Sequence, residues 1–129
     1  MKVKFKHLDK IYLALLELNK CKMNFQTKLV LRDIQEKIEK EALWFEKQRI
    51  ELINKYGQKD EQGKLIVQEG NYILHDAEGF KEEFDELLET SVDIPSINTS
   101  IINPDWEITG ETWEGLLYIL ERGENVNEG

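Results

Sequence analysis

The 129-residue chain contains one cysteine, Cys21, two prolines and two histidines. A single cysteine excludes an internal disulfide and any multi-cysteine zinc or iron–sulfur site. Cys21 is expected to be a small, partly buried side chain, because a nucleophilic thiol needs a positioned base. His7 and His75 lie in no HExxH or Cys/His ligand pattern and are read as structural polar residues. There is also no glycine-rich phosphate loop, GxSxG elbow or dinucleotide fingerprint. No window approaches the roughly 18 apolar residues of a membrane span, and no apolar signal segment follows the basic start Met1-Lys2-Val3-Lys4-Phe5-Lys6. These absences lead to the expectation of a cytoplasmic protein that is not an enzyme, with no cofactor, no membrane contact and no catalytic or metal-binding residues.

Charge is plentiful: 33% of residues are charged, 40% are hydrophobic, and three Trp, four Tyr and five Phe can furnish a core. The length suits one domain spanning 1–129. The net charge of −9 conceals a gradient, since residues 1–56 carry thirteen basic against eight acidic groups and residues 57–129 carry four against eighteen. So acidic a second half repels phosphate, which argues against a nucleic-acid partner. Either the two halves lie against each other and partly neutralise, or the acid faces a partner.

Met1, Val3 and Phe5 alternate with lysines, the period-2 pattern of a strand over 1–6, its lysines guarding an edge. From Leu8 the period changes: Leu8, Ile11, Tyr12, Leu15 and Leu16 predict an amphipathic helix over 8–20. A long helix follows over 26–56, with Leu31, Ile38, Phe45 and Leu52 seven residues apart and Ile34, Ala42, Leu43, Ile50, Ile53 and Tyr56 flanking them. This stripe suits antiparallel packing on the first helix or a coiled-coil partner. It outruns the first helix by more than a dozen residues, so the C-terminal half or another chain must cover the surplus. Gly57 reads as a C-terminal helix stop. Residues 64–75 read as a hairpin turning at Gln68-Glu69-Gly70-Asn71, and 77–89 as a helix capped by Asp76 with Phe80, Phe84, Leu87 and Leu88 on its apolar face. Beyond it lie an extended or loop segment over 92–108, a helix over 110–122 capped by Thr109, and a frayed tail over 123–129. The expected fold class is α+β, mostly helical: an antiparallel helical hairpin with one long helix, a small β-hairpin or antiparallel sheet and two further short helices.

Asp60-Glu61-Gln62-Gly63 resembles the start of a calcium loop, but an acid is required at position twelve and Asn71 stands there, so no calcium site is expected. Glu82, Glu83, Asp85, Glu86 and Glu89 have the spacing of a solvated helix face rather than of an acid/base pair. Trp44 lies about 100° round the long helix from Phe45, on the flank of the stripe and near Arg49 and Lys40. Tryptophan and arginine are enriched at interface hot spots, so Trp44 and Arg49 are candidate partner-binding residues, with core packing as the alternative for Trp44. Trp106, beside the turn Asn103-Pro104-Asp105, and the acidic Glu82, Glu83 and Glu86 complete that set. Trp113 is assigned to the core.

The block Glu51-Leu52-Ile53-Asn54-Lys55-Tyr56-Gly57-Gln58-Lys59-Asp60-Glu61-Gln62-Gly63-Lys64, followed by a short hairpin and an acidic helix with Phe80, Phe84 and Leu87, resembles a family of small uncharacterised proteins of bacteriophages and prophages of low-GC Gram-positive bacteria. The lysine-rich strand, leucine-rich helix and long charged helix are similar too, so the likeness covers residues 1–94. It supplies no functional residues. It implies a phage accessory or assembly protein acting in the cytoplasm of the infected bacterium, or associated with the virion. The expected function is non-enzymatic binding of a phage or host protein in virion assembly, as an oligomeric scaffold or chaperone-like factor. The alternative is an acidic inhibitor of a host defence or nucleic-acid-processing enzyme, acting as a nucleic-acid mimic.

Overall fold

The computed structural model describes residues 1–121; the tail expected over 123–129 and the last residue of the helix expected over 110–122 lie outside them. In chain order the elements are β1 (Lys2–Lys4), α1 (Leu8–Leu18), α2 (Phe25–Tyr56), β2 (Val67–Gln68), β3 (Asn71–Tyr72), α3 (Ala77–Glu89), β4 (Ser91–Asp93), β5 (Ile97–Asn98), α4 (Gly110–Leu117) and β6 (Leu120–Glu121). The fold is α+β and mostly helical, with α1 and α2 forming a hairpin whose second arm is much the longer. Side-chain caps open three helices. Asn24 accepts from the Thr27 amide at 2.8 Å, Asp76 from Gly79 at 3.0 Å and Thr109 from Thr112 at 3.2 Å, each satisfying a donor with no partner inside its helix.

The strand expected over 1–6 is shorter. Phe5–His7 wind into a 3-10 turn that leads into α1, which lets Phe5 turn into the core after Val3. β4 pairs with β1 antiparallel, Val3 opposite Val92, in a two-stranded sheet that leaves the other side of β1 an edge. In α1, Leu8, Ile11, Ala14, Leu15 and Leu18 are buried whereas Leu16, expected in the stripe, is exposed. The apolar face is rotated toward Ala14 because α4 crosses α1 there, with Gly115 against Lys10 and Ala14.

Along α2, Leu31, Ile34 and Ile38 are buried in the core shared with α1. The surplus length is covered by α3 of the same chain. Phe45 lies 6.1 Å from Phe84, which stacks on Phe80 at 5.6 Å, and Tyr56 meets Phe80 edge-on at 6.3 Å. The Leu31/Ile38/Phe45 stripe therefore faces α1 and α3 of the same chain, and a partner chain could reach it only by displacing them.

Gly57 ends α2 with φ −75° and ψ 138°, extended rather than left-handed. Its role is spatial: a Cβ there would strike the Ile53 carbonyl and the Leu65 side chain, where the chain folds back beside the helix end. Bridges from Gly57 to Leu74 and from Lys59 to Leu65 extend the expected hairpin, whose paired strands are only β2 and β3. Glu69 at φ 52° and Gly70 at φ 81° form its two-residue turn. The helix expected over 110–122 stops at Leu117, and the chain then pairs β6 with β5 in parallel, Ile97 donating to the Ile119 carbonyl at 2.7 Å.

The basic and acidic halves lie against each other. Lys2 pairs with Asp93 at 3.2 Å, Lys4 with Glu89 at 2.6 Å, Lys10 with Glu114 at 4.0 Å and Lys55 with Glu83 at 2.8 Å. Lys6 joins Lys4 on Glu89. Hydrogen bonds from the two ammonium groups, Lys4 first, draw the Glu89 carboxyl from its ordinary 4.5 down to about 2. A depressed carboxyl stabilises the fold above its unfolded value and loses that contribution as pH falls through about 2. An NMR titration of Glu89 should show this midpoint, and the Lys4→Ala/Lys6→Ala double variant should return it toward 4.5; an unchanged midpoint would refute the assignment.

Candidate interaction surface

At about 100° per residue, Leu29, Leu43 and Ile50 form a second row along α2, about 140° round the helix from the buried Leu31, Ile34 and Ile38. They stand at seven-residue multiples, with Glu36 occupying the remaining position. Leu43 is 71% exposed, Ile50 47% and Leu29 42%, against 1% for Ile38. Phe25, 80% exposed, stands one turn before Leu29. α2 thus carries, on the side away from its core face, three exposed aliphatic side chains spread over about 32 Å and interrupted by Glu36.

Charged side chains border the outward row. Arg32, Glu39 and Glu46 run along one flank and Asp33, Lys40 and Lys47 along the other, all exposed. Arg32 donates to Asp33 at 2.9 Å, and Arg49 to Glu46 at 2.9 Å. The bond from Arg49 holds the Glu46 carboxyl below the usual carboxylate range. Beside Leu43, a cleft of about 440 Å³ opens between α1 and α2, lined by Leu8, Asp9, Tyr12, Ile38, Ala42 and Leu43. The Tyr12 hydroxyl donates to Glu39 at 2.9 Å across it, and Leu43 both lines the cleft and belongs to the row.

The residues singled out from sequence are dispersed. Trp44, about 100° round α2 from Leu43, is 46% exposed and stacks on Phe5 at 5.5 Å. Arg49 is half-buried in its fork with Glu46. On α3, Glu83 is turned toward α2, where Lys55 and Tyr56 hold its carboxyl below the ordinary range, Lys55 having the larger effect. Glu82 and Glu86 remain exposed. Trp106 lies near the N-terminal end of α2, its indole donating to the Lys22 carbonyl at 3.0 Å beside a cleft of about 690 Å³ that also borders Cys21. Trp113 is half-buried against the core.

The exposed row Leu29, Leu43 and Ile50 is not among the residues singled out from sequence. Leu43 and Ile50 flank the buried stripe in sequence, and the seven-residue spacing they share with Leu31, Ile38, Phe45 and Leu52 does not tell the two rows apart.

His7 stacks on Tyr118 at 4.2 Å, with burial and then Lys6 and Lys4 pushing its pKa down. His75 contacts the Lys55 carbonyl at 3.0 Å, and Asp60 accepts the Gln62 and Lys64 amides of its own turn. Among the described residues no three His, Cys, Asp or Glu side chains gather to hold a metal ion, and no helix is long and apolar enough to cross a membrane. Comparison of the chain with protein-family models, with curated proteins and with solved structures gave no match.

Proposed function

We propose that the chain does no chemistry of its own and holds a protein partner through the outward face of α2, as an accessory or assembly protein of a bacteriophage working in the infected cell or on the virion. The phage setting comes from the resemblance carried by Glu51–Lys64 and the acidic helix after it. The binding role rests on Leu43, a large aliphatic side chain left 71% exposed halfway along a 32-residue helix and aligned with Leu29 and Ile50. An isolated exposed leucine is ordinary, but an apolar row bordered by charge is the composition of a contact surface.

A second reading, the acidic inhibitor, has one observation in its favour: Glu78, Glu82 and Glu86 stand exposed at four-residue steps along α3. Against it, Glu83, Glu89, Asp93 and Glu114 oppose lysines of the basic half of the same chain.

A photo-cross-linking residue placed at position 43 or at position 82, expressed in the host cell, separates the readings. Discrete protein adducts from position 43, with few from 82, are expected. Adducts from 82 alone would favour the inhibitor, and none from either would refute a protein-binding role for these surfaces.

A further inference from the structure

We propose that the partner on this face is a second copy of the chain, its α2 lying parallel to the first and in register. This rests on the reading of the outward face as a protein-binding surface and names its occupant. A two-fold axis along the helix direction brings Leu29, Leu43 and Ile50 each against its own counterpart, one apolar row per helix, with the charged Arg32, Glu39 and Glu46 at the position where a two-stranded coiled coil carries its second apolar row. The core lies on the opposite side of α2, and the row itself is exposed, so a second helix can approach it without opening the core.

Charge selects the direction. With parallel helices, each residue on the first flank meets the next residue along from the other copy: Arg32 meets Asp33, Glu39 meets Lys40 and Glu46 meets Lys47. All three pairs are of opposite sign, and the symmetry forms each of them twice. Antiparallel helices centred on Leu43 set each flank against itself, Glu39 on Glu46 and Lys40 on Lys47, all of like sign. Glu36 is the mismatch in the row, since it meets its own counterpart. Arg32, 3.9 Å away in the same chain, offsets part of that repulsion, and an acidic layer limits how tightly the pair can close.

The test uses the full chain with Cys21→Ser. Glu36→Cys and Ile50→Cys, introduced separately, should each give a disulfide-linked dimer on mild oxidation, because parallel, in-register helices bring every position of the row within bridging distance of itself. Glu61→Cys, in the exposed turn before β2, serves as the unlinked control. Linkage at only one of the two row positions, or at none, would overturn the parallel register. Lys40→Glu/Lys47→Glu should weaken the dimer by at least about tenfold, and adding Glu39→Lys/Glu46→Lys should restore it, with circular dichroism confirming the fold throughout. Failure of that rescue would overturn the flank pairing. If the row variants stay monomeric while position 43 captures a foreign protein in cells, the second copy is refuted and the binding role stands.

Discussion

Ile38→Ala is expected to lower the unfolding free energy by about 2–5 kcal/mol, whereas Leu43→Ala, five residues along the same helix, should change it by no more than about 0.5 kcal/mol in dilute monomer. Both truncations remove an aliphatic side chain from α2. They differ in what surrounds it: Ile38 is 1% exposed among Leu31, Ile34 and the inner face of α1, while Leu43 is 71% exposed. Truncating Ile38 loses the transfer free energy of its methyl groups and leaves a cavity that a closely packed interior fills only in part. Truncating Leu43 takes atoms out of water that were already largely in water. Urea denaturation of both variants gives the comparison directly. Equal losses would mean that the two sides of α2 are not distinguished as described, and the outward row would lose its standing as a free surface.

Gly115→Leu is expected to destabilise by more than about 3 kcal/mol, since even one added carbon has no room. A Cβ at this position would meet the Lys10 carbonyl and lie 2.8 Å from the Ala14 Cβ, so α4 would have to withdraw from α1. Gly115→Ala sets two effects against each other. Alanine in a helix gains about 0.8–1.0 kcal/mol over glycine, while overpacking typically costs about 1–3 kcal/mol. Because one obstacle is α1 backbone rather than the tip of a flexible side chain, the steric cost wins and a smaller net loss is expected. Thermal melts of both variants read the order directly. An alanine variant as stable as the parent would show that α1 and α4 can separate freely at this crossing.

Much of the helical frame was legible in the sequence because helix period and capping are local. Leu8, Ile11 and Leu15 gave α1, and Asp76 with Phe80, Phe84 and Leu87 gave α3 over the expected 77–89. Contacts between distant segments were not legible. Nothing local shows that Val92 will pair with Val3, or that the chain beyond Leu117 will leave its helix to pair with Ile97. Gly57 reads as a conformational stop, and to this the structure adds two close approaches, the Ile53 carbonyl of its own helix and the Leu65 side chain, of which only the second depends on the folded hairpin. The candidate surface was hidden for a related reason. Leu43 and Ile50 are apolar residues in an apolar-rich helix, and assigning them to one side or the other requires knowing that α3 covers the Phe45 and Tyr56 side and leaves theirs open. The charge gradient was visible, but its resolution through pairs such as Lys4–Glu89 and Lys55–Glu83 depends on tertiary packing.

The measurement that tests the outward face of α2 most directly is light scattering behind size exclusion, on the parent chain and on Leu43→Glu, over a range of concentrations at low and high salt. The parent is expected at twice the 15.2 kDa chain mass, persisting at high salt because its centre is apolar, with Leu43→Glu folded and monomeric. A parent that stays monomeric at every concentration, or a Leu43→Glu variant that associates as the parent does, would contradict self-association through this face.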